Sequence, residues 1–447
     1  MKSPLLLLVF SFISTLFYGQ VSVTATAGTP GPTSYTTLKA SFDAINAGTH
    51  QGVIVIMVDA NTTEAASAVI NASGSGSASY TSINIYPTVT GLSVSGNLAA
   101  PLIDLNGADN VTIDGRVNAT GSTKDLIITN TSTLSTVGTS TIRFINDASS
   151  NMVKYCTIKG SSTSASLGII LFSTTTGSTG NDGNTIDNNN ITNSADANRP
   201  LNAIYSAGTS AKTNSGNIMS NNNVYDFLSR STSSNGIQLA ANNTGWSISN
   251  NSFYETASFI PSGAGTYYII YASDVTVTDI SISGNYIGGS ASNCGGSAWT
   301  KTNVQSNPIT AINLIVGPTT STISSIQGNT MQNFIWGDAG ATSWIAININ
   351  DLTTGDVNIG TVTGNTIGAS SGTGSIAYTP GATNATFWGI RIAGSGIVDC
   401  ENNTVASITA ANSSTFATNI YGINKIAAAG TTIISNNTIG STTTANS

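Results

Sequence analysis

The sequence NTIDNNNI at residues 184–191 sets the pattern for most of the chain. In it, an apolar residue is followed by a spacer, by Asn or Gly, by Asn, by a second spacer and by another apolar residue. The pattern recurs as IMSNNNV (218–224), SISNNSF (247–253), SISGNYI (281–287), SIQGNTM (325–331), TVTGNTI (361–367), CENNTV (400–405) and IISNNTI (433–439). The second residue of the doublet is Asn in every copy, at Asn189, Asn222, Asn251, Asn285, Asn329, Asn365, Asn403 and Asn437.

Successive copies of this asparagine are 33, 29, 34, 44, 36, 38 and 34 residues apart, and a period of this size indicates a solenoid. Ile186 and Ile191 lie five positions apart, whereas the inward residues of a straight strand alternate with period two, so the chain must bend between them. Asn and Gly tolerate the left-handed backbone of a tight corner. The motif therefore predicts strand, corner and strand, with the Asn amides of successive coils stacked in a hydrogen-bonded ladder.

A further apolar segment precedes each doublet, as in GIILF (168–172) and GIRIA (389–393), which gives three strands per coil. Two looser coils lie at 101–129 and 141–160, and Cys156 takes the ladder position in the second. About ten coils are predicted, with a length of about 48 Å at roughly 4.8 Å per stacked strand. The fold class is therefore an all-β parallel solenoid.

Residues 1–20 resemble a secretory signal peptide, because Lys2 precedes an apolar run from Leu5 to Phe17 and cleavage is predicted near Gly19. We expect no membrane span after removal of this signal, since no later segment approaches the length of a spanning helix. The expected location is outside the cell, either secreted or at the outer surface.

Residues 21–100 form a second region, which opens with a Gly, Pro and Thr leader without periodicity. Leu38, Phe42 and Ile45 then share one helical face, with Thr36 or Thr37 as the N-cap and Gly48 as the end. Such a helix would cover the open first coil and its strand edge, and packing on the side of the solenoid is the alternative. Strands follow at 52–58, 82–86 and 92–95, and the uniformly apolar VIVIMV is expected to be buried on both faces. The regular coils fill residues 101–447.

Composition narrows the range of partners. Charged residues make up 7% of the chain, the net charge is −7 and no basic cluster occurs, so neither nucleic acid nor a membrane surface is an expected partner. The three cysteines form no disulfide framework. Cys156 and Cys400 are expected to be apolar fillers, and Cys294, in a Gly-rich loop, is the cysteine expected to be exposed.

The doublet series, the opening TSYTTLKASFDAINAGTHQG and the segment APLIDLNGADNVTIDG resemble the right-handed parallel β-helix, or pectin-lyase-like, proteins secreted by Bacteroidota. The resemblance covers residues 21 to the end and implies a right-handed coil. It also implies export through a C-terminal sorting domain. The sequence up to Ser447 contains no such domain and nothing to cap the last coil, so we expect either a chain that is truncated relative to its gene or packing of the last coil against a further C-terminal module.

Enzymes of the pectin-lyase-like class work on the outward face of the strand before the long loops, with clustered carboxylates and a basic residue. In this chain the outward column is predicted to contain one acid. Its members are Asp104, Arg143, Ile170, Tyr205, Gln238, Ile270, Asn313, Asn348, Arg391 and Asn424.

Two readings of the remaining acids and aromatic residues stay open. Asp104, Asp109 and Asp114 form the densest acidic run and are the candidate catalytic residues, although the turn chemistry of Asn110 and of Asp114 with Gly115 favours a structural turn. Tyr205, with Trp246, Tyr254, Tyr267, Trp336, Trp344 and Trp388, could stack on sugar rings or pack in the rim and core.

The sequence therefore predicts a non-catalytic β-helix that presents an extended surface for adhesion or polysaccharide binding. The candidate ligand-binding residues are Tyr205, Gln238, Asn313, Asn348 and Arg391. The expected partner is an extracellular polysaccharide or cell-surface component, with no cofactor and no metal ion. The alternative is a polysaccharide lyase or glycoside hydrolase.

Overall fold

A computed structural model describes residues 19–302, 305–340, 342–381, 385–412 and 417–440. Most of the predicted signal peptide lies outside these ranges. The chain is 47% strand and 3% helical, and it folds as the predicted right-handed parallel β-helix. Three long sheets run along the solenoid, and each described coil except the last contributes one strand to each sheet.

Sheet 1 contains, in spatial order, the strands Thr33–Tyr35, Val21–Gly28, His50–Val58, Tyr80–Pro87, Val111–Asp114, Met152–Lys154, Thr185–Asp187, Ile218–Ser220, Ser247–Ser249, Ser281–Ser283, Ser324–Gln327, Val357–Ile359, Val398–Glu401 and Thr432–Ser435. Sheet 2 contains Thr62–Glu64, Leu92–Gly96, Leu126–Asn130, Cys156–Gly160, Asn190–Asn193, Asn223–Tyr225, Ser252–Tyr254, Tyr286–Ile287, Thr330–Met331, Thr366–Gly368, Thr404–Ala406 and Thr438–Ile439.

Sheet 3 contains Ala68–Asn71, Pro101–Asn106, Ser140–Ile145, Ile170–Phe172, Asn202–Ser206, Ser234–Leu239, Tyr267–Ser273, Ile309–Ile315, Ser343–Ile349, Ala385–Ile392 and Thr418–Lys425. Two small sheets widen the corners of some coils. They consist of Asn214–Ser215, Asn243–Thr244 and Val277–Thr278, and of Trp299–Lys301, Phe334–Gly337, Ile376–Thr379 and Ile408–Ala410. One α-helix, Leu38–Asn46, and a 3₁₀ turn, Val117–Ala119, complete the elements.

The described residues form twelve coils, the last of which reaches only sheets 1 and 2. This is more than the ten predicted, because the strands at 50–71 already make a coil and the regular stacking begins before Pro101. On the inner face of sheet 3, isoleucine side chains of successive coils stack into one continuous column in the core. Its members are Ile103, Ile142, Ile170, Ile204, Ile237, Ile270, Ile312, Ile347, Ile390 and Ile423.

The corner between sheets 1 and 2 is made by the Asn and Gly doublets, as predicted. In seven of the eight copies the first residue of the doublet takes the left-handed conformation, with φ of 56° at Asn188 and 64° at Gly284, and Gly364 is the exception. The second residue turns inward, and its amide lies buried in the ladder. Asn189 Nδ2 donates to Asn222 Oδ1 at 3.1 Å, and the ladder continues in the same way to Asn437.

The helix Leu38–Asn46 lies over the first coil, as expected for a cap. Leu38, Phe42 and Ile45 are buried in the core cluster, and Thr37 is the N-cap. Asn46 Nδ2 donates to the carbonyl of Val69, and its Oδ1 accepts from the N–H of Asn71. These bonds satisfy backbone groups on the strand that forms one edge of sheet 3, so the helix also protects that edge.

Three expectations for the first 100 residues and the cysteines were wrong. Residues 21–28 of the leader form a strand that pairs antiparallel with His50–Val58, because Val21 and Val23 bury against the core. The VIVIMV strand alternates between buried and partly exposed residues, and Val53 is 41% exposed, so one of its faces is open. Cys294 is buried, as are Cys156 and Cys400.

Candidate functional site

The outer face of sheet 3 carries the predicted column of side chains with two corrections. Strand pairing aligns Asp104, Arg143, Leu171, Tyr205, Gln238, Tyr271, Asn313, Asn348, Arg391 and Asn424. Ile170 and Ile270 were assigned to this column wrongly, since both lie in the inner isoleucine column. Their neighbours Leu171 and Tyr271 take the outer positions.

A second column runs beside the first and was missed from the sequence. It places Asn235, Tyr268, Thr310, Ile345, Trp388 and Tyr421 on successive coils. Aromatic rings on these columns meet in two pairs, one formed by Tyr268 and Tyr271 across the two columns and one formed by Trp388 and Tyr421 on successive coils of the second column. The rings of Tyr268 and Tyr271 stack with centroids 4.3 Å apart, and those of Trp388 and Tyr421 stack 4.5 Å apart. All four side chains are partly or fully open to solvent.

Asn313 and Asn348, two of the candidate ligand-binding residues, lie buried in this face. Both are buried, with exposed fractions of 2% and 5%, so the expectation that Asn348 is a surface residue was wrong. Asn348 Nδ2 donates to Asn313 Oδ1 at 2.6 Å, and Arg391 Nη1 donates to Asn348 Oδ1 at 2.8 Å. Gln238 remains partly exposed and donates to the hydroxyl of Ser273 at 3.2 Å.

Arg391 combines a positive charge with an aromatic neighbour. Its Cζ lies 5.8 Å from the centroid of the Trp388 ring, within cation–π range. Burial lowers the pKa of Arg391, and the nearby charge of Asp351 opposes this effect. In the described part of the chain the other four arginines each form an ion pair with a carboxylate, whereas none is found for Arg391.

The three acids that the sequence nominated for catalysis do not converge. Asp104, on sheet 3, accepts two hydrogen bonds from Arg143, at 2.9 and 2.7 Å. Asp114 lies on sheet 1, paired with Arg116 at 2.6 Å and 3.6 Å from the amine of Lys154. Burial raises the pKa of Asp109, which lies in the turn before the sheet 1 strand and accepts the Ser149 N–H.

A cavity of about 220 Å³ opens at the start of the same face, between coils 3 and 5. Leu171 and Tyr205 form its floor beside Arg143, and the loop at 135–138 forms one wall. Burial raises the pKa of Tyr205, so its phenol stays protonated at neutral pH. The cavity therefore presents hydrogen-bond donors among apolar walls.

A buried ionic cluster in the loops beside sheet 2 was also missed. Arg199, which is 6% exposed, pairs with Glu255 at 2.6 Å and with Asp196 at 2.7 Å, and Arg230 pairs with Asp196 at 2.8 Å. Complete burial raises the pKa of Glu255 to about 8 despite the Arg199 charge, and Asp226 raises it further. No periodic signal marks these residues, since they come from separate loops of variable length.

Most of the aromatic residues nominated as sugar platforms are structural. Trp246, Trp336, Trp344 and Tyr267 are 0–1% exposed, and Tyr254 is 9% exposed. The small sheets at the corners cover several of these rings, so chain proximity to the outward column did not predict exposure. Trp388 and Tyr205 remain partly exposed on sheet 3.

Comparison of the chain with protein families, curated proteins and solved structures found no match. Within the described residues, no three His, Cys, Asp or Glu side chains are grouped so that they could hold a metal ion. No helix in those residues is long and apolar enough to cross a membrane. What these findings define is the class of the protein, a parallel β-helix with one aromatic and amide-rich outer face.

Proposed function

We propose that the protein is a secreted or cell-surface β-helix that binds polysaccharide along the outer face of sheet 3 and does not cleave it. The observation that carries this proposal is the pair of adjacent outer columns, in which stacked aromatic rings at 268–271 and 388–421 lie at either end of the buried amides Asn313 and Asn348, with Arg391 beside the second ring pair. Sugar rings present apolar C–H faces that pack on aromatic rings, and their hydroxyls exchange hydrogen bonds with amides and guanidinium groups.

The two aromatic pairs suit a long ligand. Tyr271 and Arg391 are three coils apart, which is about 14 Å at roughly 4.8 Å per coil. A polymer lying along the solenoid axis can contact both pairs at once, and linked contacts raise the overall affinity above that of either. Arg391 adds a charge that favours a polymer with carboxylate or sulfate groups.

The absence of cleavage is proposed from the state of the acids. Hydrolysis of a glycosidic bond needs two carboxyl groups placed on either side of it, and Asp104 is the only acid in the outer column. Its two oxygens both accept hydrogen bonds from Arg143, so the carboxylate is held by that side chain rather than directed at a bound sugar. A lyase or hydrolase would therefore need catalytic groups outside this column.

Affinity electrophoresis through gels that contain neutral or acidic polysaccharides tests the proposal. We expect at least one polymer to retard the protein, and we expect Tyr271→Ala and Trp388→Ala each to weaken binding by roughly threefold to tenfold. Tyr86→Ala, on the outer face of sheet 1, is the matched control and should bind normally. Failure of every polymer to retard the protein would refute the proposal. Release of reducing ends or unsaturated products would favour the lyase or hydrolase instead.

A further inference from the structure

The cavity between coils 3 and 5 differs in chemistry from the rest of the sheet 3 face. Its volume is about 220 Å³. This is below the roughly 300–1,000 Å³ of ordinary ligand pockets, so the cavity suits one ring or a ring substituent rather than several linked rings. The cavity lies on the same face as the aromatic pairs, because Arg143, Leu171 and Tyr205 occupy successive rungs of the outer column.

The walls of the cavity are mainly apolar. Leu167 and Leu171 line it from the sheet, and Ala207 lines it from the following loop. Val137, at the tip of the loop between sheets 2 and 3, is 91% exposed and lies at the opening. An apolar group that covers this valine and the neighbouring walls removes apolar surface from water without losing hydrogen bonds of its own, so the cavity favours a ligand that carries one.

Arg143 and Tyr205 line this space, and the hydroxyl-bearing residues Ser135, Ser164, Ser166, Ser173 and Thr174 line it as well. The bidentate pairing with Asp104 fixes the guanidinium of Arg143 through Nε and Nη2, which leaves Nη1 without a partner among the described residues. Within the same part of the chain the Tyr205 hydroxyl also has no partner. Gly138, at φ 86°, allows the loop to pass close by, since an added Cβ would lie 2.7 Å from Nη1.

We propose that this cavity binds the acetyl substituent of an acetylated sugar in the polysaccharide, a specificity that rests on the proposed function. An acetyl group joins a methyl, which suits the walls formed by Leu167, Leu171 and Val137, to a carbonyl oxygen that only accepts hydrogen bonds. Arg143 and Tyr205 supply donors for that oxygen. A free carboxylate suits the cavity less well, because Asp104 already neutralises Arg143. A bare hydroxyl would leave the apolar walls in contact with water.

The test uses O-acetylated glucomannan and the same polymer after alkaline deacetylation, so that the backbone and chain length are matched. We expect the acetylated form to bind roughly fivefold to tenfold more tightly. Ser166→Trp places a large ring from an exposed position into the cavity, and Tyr205→Phe removes one donor. Each variant should reduce the difference between the two polymers. Ser79→Trp, at an exposed position in the first coils, is the control for a new surface tryptophan and should keep the difference.

Saturation-transfer NMR with N-acetylglucosamine and with glucose tests the cavity without a polymer. We expect the acetyl methyl of N-acetylglucosamine to receive the strongest saturation, and we expect this signal to disappear in Ser166→Trp. Equal binding of the acetylated and deacetylated polymers would overturn the acetyl assignment and leave polysaccharide binding intact. If neither polymer binds and the acetyl methyl receives no saturation, the acetyl assignment is also wrong. If no polysaccharide of the wider panel retards the protein in affinity electrophoresis, the proposed function is wrong.

Discussion

Asn285 and Asn329 are 44 residues apart in the chain, yet Asn285 Nδ2 donates to Asn329 Oδ1 at 2.9 Å. The same oxygen accepts the backbone N–H of Asn285 at 3.0 Å. The second Nδ2 proton of Asn285 goes to the carbonyl of Ile248 at 2.9 Å. Each ladder asparagine thus ties its own corner to the coils on both sides, which explains why insertions of variable length in the loops leave the corner unchanged.

Replacing Asn285 with Ala should destabilise the protein by about 1–3 kcal/mol, because the buried Asn251 N–H and Ile248 carbonyl on the preceding coil lose their partner, and the Asn329 amide on the following coil loses a donor. Chemical denaturation measures this change. Asn358→Ala is the control, since Asn358 faces outward on sheet 1 and should cost within about 0.5 kcal/mol. Equal stability of the Asn285 and Asn358 variants would contradict a buried ladder.

Deleting residues 36–48 should expose the apolar interior of the first coil and the strand edge that Asn46 now satisfies. We expect aggregation, measured by light scattering, before the later coils lose structure, since repeats depend mainly on their neighbours. Lys39→Ala, on the exposed side of the helix, should remain soluble. A deletion variant that is monomeric and equally stable would show that the helix does not protect the first coil.

Asp279 should make the free energy of unfolding depend on pH in the acid range. Burial alone would raise the pKa of its carboxyl, but hydrogen bonds from the Thr320 hydroxyl and from the backbone of Thr320, Ser321 and Thr322 outweigh burial and lower the pKa. A lowered folded-state pKa stabilises the protein above the ordinary carboxyl pKa, and this contribution is lost as the pH falls through the folded-state value. Asp279→Asn should therefore be destabilised at pH 7, and its deficit should shrink as the pH is lowered below about 4. A deficit that stays constant with pH would contradict this role.

Glu255 should give the stability a pH dependence opposite to that given by Asp279. Its folded-state pKa of about 8 lies above the ordinary carboxyl value, so the folded protein keeps a proton that the unfolded chain releases. The stability that Glu255 contributes is therefore fully present below the ordinary carboxyl pKa and is lost as the pH rises toward 8. Glu255→Gln should flatten the decrease in unfolding free energy between about pH 5 and pH 8. An unchanged pH profile would show that Glu255 ionises normally in the fold.

Sequence periodicity predicted the features that repeat on every coil. The doublets predicted the corner because only residues that tolerate a left-handed backbone fit it, and the spacing of Leu38, Phe42 and Ile45 predicted the cap helix. Two members of the outer column could not be assigned from the sequence. GIILF and YYIIY contain several apolar residues in a row, and either of two adjacent residues can face inward. Pairing with strands on adjacent coils settles that choice, and it places Tyr271 outward.

Contacts that occur at one place and do not repeat from coil to coil could not be predicted from the periodicity. Asp196 and Arg199 lie in one loop and meet Glu255, which lies in another, and no period relates these residues. The burial of Trp336 and Trp344 depends likewise on the four-stranded corner sheet and its neighbours. Such contacts follow from tertiary packing rather than from the repeat.

Trp388 offers the most direct test that polysaccharide binds on sheet 3. The other four tryptophans are 0–1% exposed, so an aqueous quencher such as iodide should reach Trp388 and spare Trp246, Trp299, Trp336 and Trp344. Trp388→Phe should accordingly remove the quenchable part of the fluorescence. With a polysaccharide that retards the protein, we expect saturating polymer to protect Trp388 from the quencher. Polymer binding that leaves the quenching of Trp388 unchanged would contradict polysaccharide binding on the outer face of sheet 3 and would place the binding surface elsewhere.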